Sequence, residues 1–186
     1  ISLFFWPNVW KEEDDFTFIC ALSKSDFRKN SSFLFKSSIK IGSWYMEKLS
    51  DIIERKLLPF VEKPLRYTGA ELNIIRKNPD SIKLHGVLCF PDLYDIGMSH
   101  FGLQILYHIV NKREGWALSR SFNPWIDAEK LMRDLKIPLY TLEYYSPVRS
   151  ADWVGFSVQY ELQFTNIVNM LDLAGIPLLS RDRTTS

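Results

Sequence analysis

Polar side chains that could line a ligand pocket gather at two points of the sequence, and each point directly follows a short apolar run. Carboxylate, phenol, hydroxyl, amide and imidazole groups in one place are what a binding or catalytic site needs. The first group consists of Asp92, Tyr94, Asp95, Ser99 and His100, and the second consists of Ser157, Gln159, Tyr160 and Glu161.

The elements around these groups predict that the groups meet. Residues 83–90 and 152–158 are typical of buried strands, and a helical apolar pattern follows each of them. In open α/β sheets, ligands bind outside the carboxyl ends of strands, where the strand order switches direction. We therefore expect the two loops to face one crevice, and a helix beginning near Ser99 would favour a phosphate or a carboxylate there. We do not expect Arg66 and Tyr67, in the preceding loop, to fold over this crevice.

Each candidate also has a purely structural interpretation. Asp92 and Asp95 are residue types that often cap or turn a loop. His100 in a first helical turn is typical of a capping or solvent-facing side chain, and Glu161 is an acid that the helix dipole would favour. The sequence leaves these roles open beside a ligand-binding role.

Strand-like and helix-like segments alternate along the chain, which predicts an α/β fold with a mainly parallel, doubly wound, flavodoxin-like sheet. Because the given sequence ends soon after the last helical pattern, we expect the sheet to be truncated before its last strand or strands. The predicted strands are 83–90, 116–122, 138–145 (at an edge) and 152–158. The predicted helices are 46–58 and 99–112, one within 123–138 after the cap Asn123, and one within 161–177 that Gly175 and Pro177 stop.

The same patterns predict helix caps and buried faces. Ser99 and Asn123 are predicted N-caps, and Pro124 is predicted to occupy the first helical position. The buried face of the last helix is predicted to contain Phe164, Ile167, Val168, Leu171 and Ala174.

Three regions differ in composition. Residues 1–45 are rich in Phe and Ser and sustain neither a helical nor a strand period, whereas Met46 opens an amphipathic helix. Our hypothesis is that the native protein starts at Met46 and that 1–45 is translated upstream sequence; the alternative is a genuine leader. Residues 46–75 are interpreted as a helix and an extended arm, and 76–186 as an incomplete α/β domain.

Composition excludes several classes of protein. With 23 basic and 22 acidic residues, the net charge of +1 provides no field for nucleic acid or an anionic membrane. No apolar run approaches the roughly 20 residues that a membrane helix needs. The two cysteines, Cys20 and Cys89, match no short metal or disulfide spacing, which favours a cytoplasmic location.

Motifs of common enzyme classes are missing. The sequence contains no dinucleotide-binding glycine motif, no P-loop and no G-x-S-x-G. Two cysteines are too few for an iron–sulfur cluster held by this chain alone. A phospho-acceptor receiver domain is disfavoured. Such a domain needs an acceptor aspartate at the end of a strand, and the strand 152–158 has Ser157 there.

Several strings in order resemble the N-terminal region of a family of bacterial radical S-adenosylmethionine proteins, in which a cobalamin-binding-like (B12-binding-like) α/β domain precedes a radical barrel. The resemblance covers about residues 55–183. The strings are VEKPLRYTGAELN, FPDLYDIGMSHFGLQILYHIVN, FNPWIDAEKLMR, IPLYTLEYYSPV and DWVGFSVQYELQFTNIVNMLDLAGIPLL.

The resemblance implies a 4Fe–4S cluster and S-adenosylmethionine in the following radical domain, bound by a C-x-x-x-C-x-x-C loop that this sequence lacks. It implies no cobalamin here, because the D-x-H-x-x-G motif is broken by Met98 and Leu103 on either side of His100. We therefore expect an inactive accessory fragment that docks on the radical domain of the same protein and helps to shape its substrate pocket. The alternatives are a stand-alone ligand-binding or regulatory module and a fragment without a ligand.

Overall fold

A computed structural model describes residues 18–23 and 48–183 of the chain. Their strands form one four-stranded sheet in the order β1-β4-β2-β3, in which β2, β3 and β4 run parallel and β1 runs antiparallel to β4. The predicted α/β class is confirmed, with helices against a mainly parallel sheet. The strands are β1 (Phe18–Ser23), β2 (Leu84–Phe90), β3 (Trp116–Phe122) and β4 (Trp153–Val158).

Strand β1 is an element that the sequence analysis left unassigned. It pairs with β4 from Phe18 opposite Val158 to Ser23 opposite Trp153. A strand in this place supplies backbone partners to one side of β4, while β2 supplies them to the other. The rest of the predicted leader, and with it the hypothesis of a start at Met46, lies outside the described residues.

The helices lie in the connections that the apolar patterns indicate. The first helix begins at Leu49 and continues through a π-helical and a 3₁₀ stretch to Phe60, so it includes Pro59. Among the described residues, none of the helices is both long and apolar enough to cross a membrane. The helices are α1 (Leu49–Ile52, extended to Phe60), α2 (Tyr94–Met98), α3 (Phe101–Asn111), α4 (Ile126–Asp134) and α5 (Gln163–Leu173).

The sheet separates two apolar clusters because successive strand residues point to opposite faces. One face packs Leu88, Phe90, Leu118 and Phe122 against Leu103 and Tyr107 of α3. The other face is covered by residues of α1, α4 and α5, and its central strand residues are Val87, Cys89, Val154 and Phe156. Helices on both faces are the doubly wound arrangement that the sequence predicts.

One predicted strand is wrong. Residues 138–145 form a tight turn and only an isolated bridge between Tyr140 and Pro147. The backbone folds back because Tyr145 has a positive φ of 51° and its N–H donates to the carbonyl of Thr141 at 2.9 Å. The strand-like composition of this segment instead reflects burial, since Leu139, Tyr140 and Leu142 pack in the cores.

Two helix details also differ from prediction. Helix α4 begins at Ile126, so Pro124 precedes it, and the side chain of Asn123 accepts a hydrogen bond from Asn169 rather than capping the helix. Helix α5 leaves Phe164 and Val168 exposed, because its buried side is Gln163, Met170, Leu171 and Leu173. The prediction holds for Ile167, Leu171 and Ala174, which lie in or against the core, and it is wrong for Phe164 and Val168, because the polar Gln163 takes a core position.

Gly86 on β2 has no side chain, which leaves room for the large side chain of its neighbour Trp153 on β4. It is the register partner of Trp153, and a Cβ atom at position 86 would lie 2.1 Å from the indole ring. No side chain fits at that distance, so the indole lies directly over the backbone of β2.

Candidate functional site

The loops after β2 and β4 meet, as the sequence predicts. The two strands are parallel neighbours, so their carboxyl ends open on the same edge. Tyr160 donates a hydrogen bond from its hydroxyl to Asp92 Oδ2 at 3.0 Å, and Asn166 Nδ2 donates to the carbonyl of Pro91 at 2.9 Å. We call residues 91–95 and 157–163 the shared rim.

The β4 side of the shared rim is a connected polar group. Gln159 donates from its backbone N–H to Gln163 Oε1 at 2.8 Å and from Nε2 to the buried Ser157 Oγ at 3.0 Å. Gln163 Nε2 is buried without a hydrogen-bond partner. The hydrogen bond to Asp92 raises the pKa of Tyr160, because it favours the neutral phenol. The rim therefore presents a phenol that donates and a carboxylate that accepts.

The other predicted site residues turn away from this group. Tyr94 donates to Glu71 Oε1 at 2.7 Å, and Asp95 forms an ion pair with Arg66. Glu161 is exposed, and no side-chain hydrogen bond ties it to the described residues. The structure thus brings Asp92, Ser157, Gln159 and Tyr160 together, and it directs Tyr94 and Asp95 toward the arm.

The beginning of α3 corrects the predicted cap. His100, not Ser99, is the N-cap, and its Nδ1 accepts from the N–H of Leu103 at 3.1 Å. Ser99 Oγ instead donates to the carbonyl of Ile96 at 2.7 Å, at the end of α2. The short helix α2 was not predicted, and it moves the start of α3 beyond Ser99. Because the Leu103 N–H already donates to His100 Nδ1, this N–H is not available to bind an anion.

The arm packs against the carboxyl end of β3 and contacts the first loop at Asp95; no contact of Arg66 or Tyr67 with the described residues of the β4 loop is seen. Its 3₁₀ turn Pro64–Tyr67 places Arg66 against Asp95, and Tyr67 accepts at its hydroxyl from the N–H of Trp125 at 3.2 Å. Beneath the turn lies a cavity of about 20 Å³, enough for one water molecule. We call this space the arm cavity; it is lined by Arg66, Tyr67, Leu93, Tyr94, Ser121, Phe122, Asn123, Pro124, Trp125, Met132, Leu139, Tyr140 and Leu142.

A buried ion-pair network lies on the α3 face of the sheet, and the sequence analysis missed it. Arg120 donates from Nε to Glu143 Oε1 and from its backbone N–H to Oε2, both at 2.8 Å. Its Nη2 contacts Glu71 Oε2 at 3.2 Å, and its guanidinium carbon lies 4.2 Å from the centre of the Tyr107 ring. The available signal was the spacing, since Arg120 lies between Leu118 and Phe122 on one strand face.

Burial dominates the electrostatics of this network. Desolvation raises the pKa of Glu143, and the Arg120 guanidinium opposes that rise. The pKa of Tyr94 is raised by burial and by its hydrogen bond to Glu71. These groups connect β3, the arm and α2, so the network fixes the position of the loop that begins the shared rim.

The residues that the structure describes offer no ligand set for an iron–sulfur cluster or a metal ion. Among the residues that the structure describes, no group of three or more His, Cys, Asp or Glu is arranged to hold a metal. The whole chain has two cysteines, and Cys89 is fully buried in β2, where desolvation raises the pKa of its thiol. A cluster ligand must be a thiolate that reaches the metal, which Cys89 cannot supply.

Comparison with known proteins gives one match. A family model described as radical SAM proteins, N-terminal, matches residues 102–186, which is slightly less than half of the chain. The matched segment includes nearly all of α3 and continues through β3, α4, β4 and α5. No curated protein and no solved structure matched the chain.

Proposed function

We propose that this chain is an N-terminal accessory region of a radical S-adenosylmethionine iron–sulfur enzyme, in which it docks on the radical domain and shapes part of the substrate pocket. The observation that carries the proposal is the match of residues 102–186 to the N-terminal region of such proteins. The cluster and S-adenosylmethionine would be held by the radical domain, since the cysteines here do not fit them.

The shared rim supports the pocket role. Its phenol and carboxylate lie at the carboxyl edge of neighbouring parallel strands, where α/β folds bind ligands. Asp92 Oδ2 and the Tyr160 hydroxyl could each bind a polar substrate group, Asp92 by accepting and Tyr160 by donating or accepting. In this proposal the chain orients a substrate and excludes water, and it performs no radical step itself.

Exposed apolar side chains support the docking role. They lie on α2 and at the beginnings of α3 and α5, next to the shared rim, and exposed apolar surface beside a site is where a partner domain would dock. We call these residues the apolar border; they are Ile96, Phe101, Leu162 and Phe164.

The reading frame beyond the codon for Ser186 tests the family assignment. We expect it to continue and to encode three cysteines at C-x-x-x-C-x-x-C spacing, because a cluster of this class needs those thiolates. A stop codon directly after Ser186 would contradict the proposal and would favour a stand-alone ligand-binding or regulatory module.

Hydrogen exchange tests the docking surface. In the full-length protein, we expect the backbone amides of residues 96–103 and 160–166 to exchange more slowly than in the 186-residue chain, because a docked domain would shield them. The amides of Leu72 and its neighbours, on the exposed arm, serve as an internal control. Equal exchange of the apolar border in both proteins would rule out docking there.

A further inference from the structure

We propose that the arm cavity is a binding site for a small carboxylate with an apolar body, and that Arg66 binds the carboxylate. Neither the family match nor the proposed accessory role assigns a ligand to this place, and the inference does not depend on them. The site lies at the carboxyl end of β3, under the turn Pro64–Tyr67, and neither Asp92 nor Tyr160 lines it.

The guanidinium of Arg66 is incompletely satisfied. Its Nη2 contacts Asp95 Oδ2, but its Nε is buried without a hydrogen-bond partner. Nε and Nη2 lie on the same edge of a guanidinium, and this edge binds a carboxylate through two parallel hydrogen bonds. A carboxylate placed there would satisfy both donors, whereas Asp95 satisfies one.

The wall of the cavity selects an apolar body rather than an inorganic anion. Seven of the thirteen lining residues have apolar or largely apolar side chains: Leu93, Phe122, Pro124, Trp125, Met132, Leu139 and Leu142. The other lining residues carry polar groups and are Arg66, Tyr67, Tyr94, Ser121, Asn123 and Tyr140; among them the Tyr67 hydroxyl is next to Trp125 N–H. A mainly apolar wall with a few placed polar groups is the lining that small-molecule sites have, although this closed space is far smaller than such a site and must open to admit a ligand.

The turn that covers the cavity is anchored on both sides of Pro64–Arg66, because the Glu62 N–H donates to Asp127 and the Tyr67 carbonyl accepts from Tyr140. Thr68 and Gly69 are fixed, because the Thr68 carbonyl accepts from Tyr145 and Gly69 packs against the carbonyl of Leu142. Arg66 is tied to α2 through Asp95, whose side chain is 50% exposed. We infer that a ligand displaces Asp95 and moves the Pro64–Arg66 part of the turn outward, which enlarges a space that now fits one water molecule.

Calorimetric titration of the 186-residue chain with sodium benzoate tests the site. We expect benzoate to bind, its neutral isostere benzamide to bind about tenfold more weakly or not at all, and inorganic phosphate to bind more weakly than benzoate. Asp95→Asn should bind benzoate more tightly, because the competing carboxylate is gone. Arg66→Met should lose at least about tenfold in affinity, because the charge-assisted hydrogen bonds are gone.

Arg133→Met is the matched control, because Arg133 makes its ion pairs on the surface with Glu129 and Asp172. We expect benzoate affinity to be unchanged in it. Absence of binding to both the native chain and Asp95→Asn would overturn the proposal and leave the cavity as a water site. The assigned ligand class would be overturned if Arg66→Met bound benzoate as tightly as the native chain does. It would also be overturned if phosphate bound as tightly as benzoate. If Arg66→Met does not fold, the Asp95→Asn and benzamide results still decide.

Discussion

Arg120 and Glu143 bury a complete ion pair between the sheet and the segment that follows α4. Both side chains are almost fully buried, and the carboxylate accepts from the side chain and the backbone of Arg120. Removing two charges from water costs several kcal/mol for each ion, which only good geometry and further hydrogen bonds offset. Glu71 and the Tyr107 ring supply those further contacts. The pair therefore specifies where residues 139–143 lie more than it adds net stability.

Breaking this pair from one side should be costly. We expect Glu143→Gln to lower the free energy of unfolding by about 3–5 kcal/mol, because it leaves the Arg120 charge buried with Glu71 as its remaining carboxylate. Urea denaturation at neutral pH measures this. Glu129→Gln, in the surface pair with Arg133, should change stability by less than about 1 kcal/mol. Equal effects of the two variants would show that the buried pair is unimportant.

At the level of elements, the corner between β2 and α3 determines what the shared rim can present. Helix α2 interrupts the path from Phe90 to α3, and Gly97 makes this possible because a Cβ there would lie 2.4 Å from the Phe122 ring. The corner then ends at His100, whose ring caps α3 and lies 5.5 Å from that of Phe90. The imidazole thus has a structural role at this position.

The cap can be separated from the ring packing by two substitutions. His100→Ala should destabilise the chain by about 1 kcal/mol more than His100→Asn, because asparagine also caps helices while neither residue restores the contact with Phe90. Thermal or urea unfolding of both variants measures the difference. Ser99→Ala is the control and should cost less than about 0.5 kcal/mol, because Ser99 is exposed. A larger loss in Ser99→Ala would restore Ser99 as the cap.

Prediction from the sequence succeeded where a single hydrophobic period, helical or strand-like, dominates a segment. It failed where tertiary contacts override that local pattern. Strands 116–122 and 152–158 agree with β3 and β4 within one residue, because large and small side chains alternate along the first and the second is mainly apolar. Residues 138–145 have the same composition but belong to a turn that Glu143 and Tyr145 position through long-range contacts. Of the candidate site, the meeting of Asp92 with the β4 loop followed from parallel order alone.

The ion pairs that the sequence analysis missed could not be predicted from the local pattern of residues. Arg66 reaches Asp95 across the fold, and Arg120 reaches Glu143 and Glu71 from distant segments. Such pairs depend on where loops are placed, which no residue spacing states. A charged residue at an inward-facing strand position, as with Arg120, was the one usable signal.

On the scale of the whole molecule, α1 belongs to the same core as the sheet. Ile53 and Leu57 are fully buried in the cluster that also contains Val87, Val154 and Met170. The helix and the sheet should therefore unfold together rather than as separate units.

Shortening a core side chain of α1 tests this coupling. We expect Leu57→Ala to lower the free energy of unfolding of the whole domain by about 2–5 kcal/mol in a single transition, because it leaves a cavity. Circular dichroism and tryptophan fluorescence should report the same midpoint. Phe60→Ala, at a position 69% exposed, should change it by less than about 0.5 kcal/mol. A separate early transition of the helix would contradict a common core.

The contact between Gly86 and Trp153 couples two positions far apart in sequence. An indole that rests on bare backbone leaves no volume for a methyl group, so neither residue can be exchanged for a larger one alone. Among related chains, a side chain at position 86 should occur only together with a much smaller residue at position 153. The two sites should therefore covary, and that covariation would record the alignment of β2 with β4 in sequences whose structures are unknown.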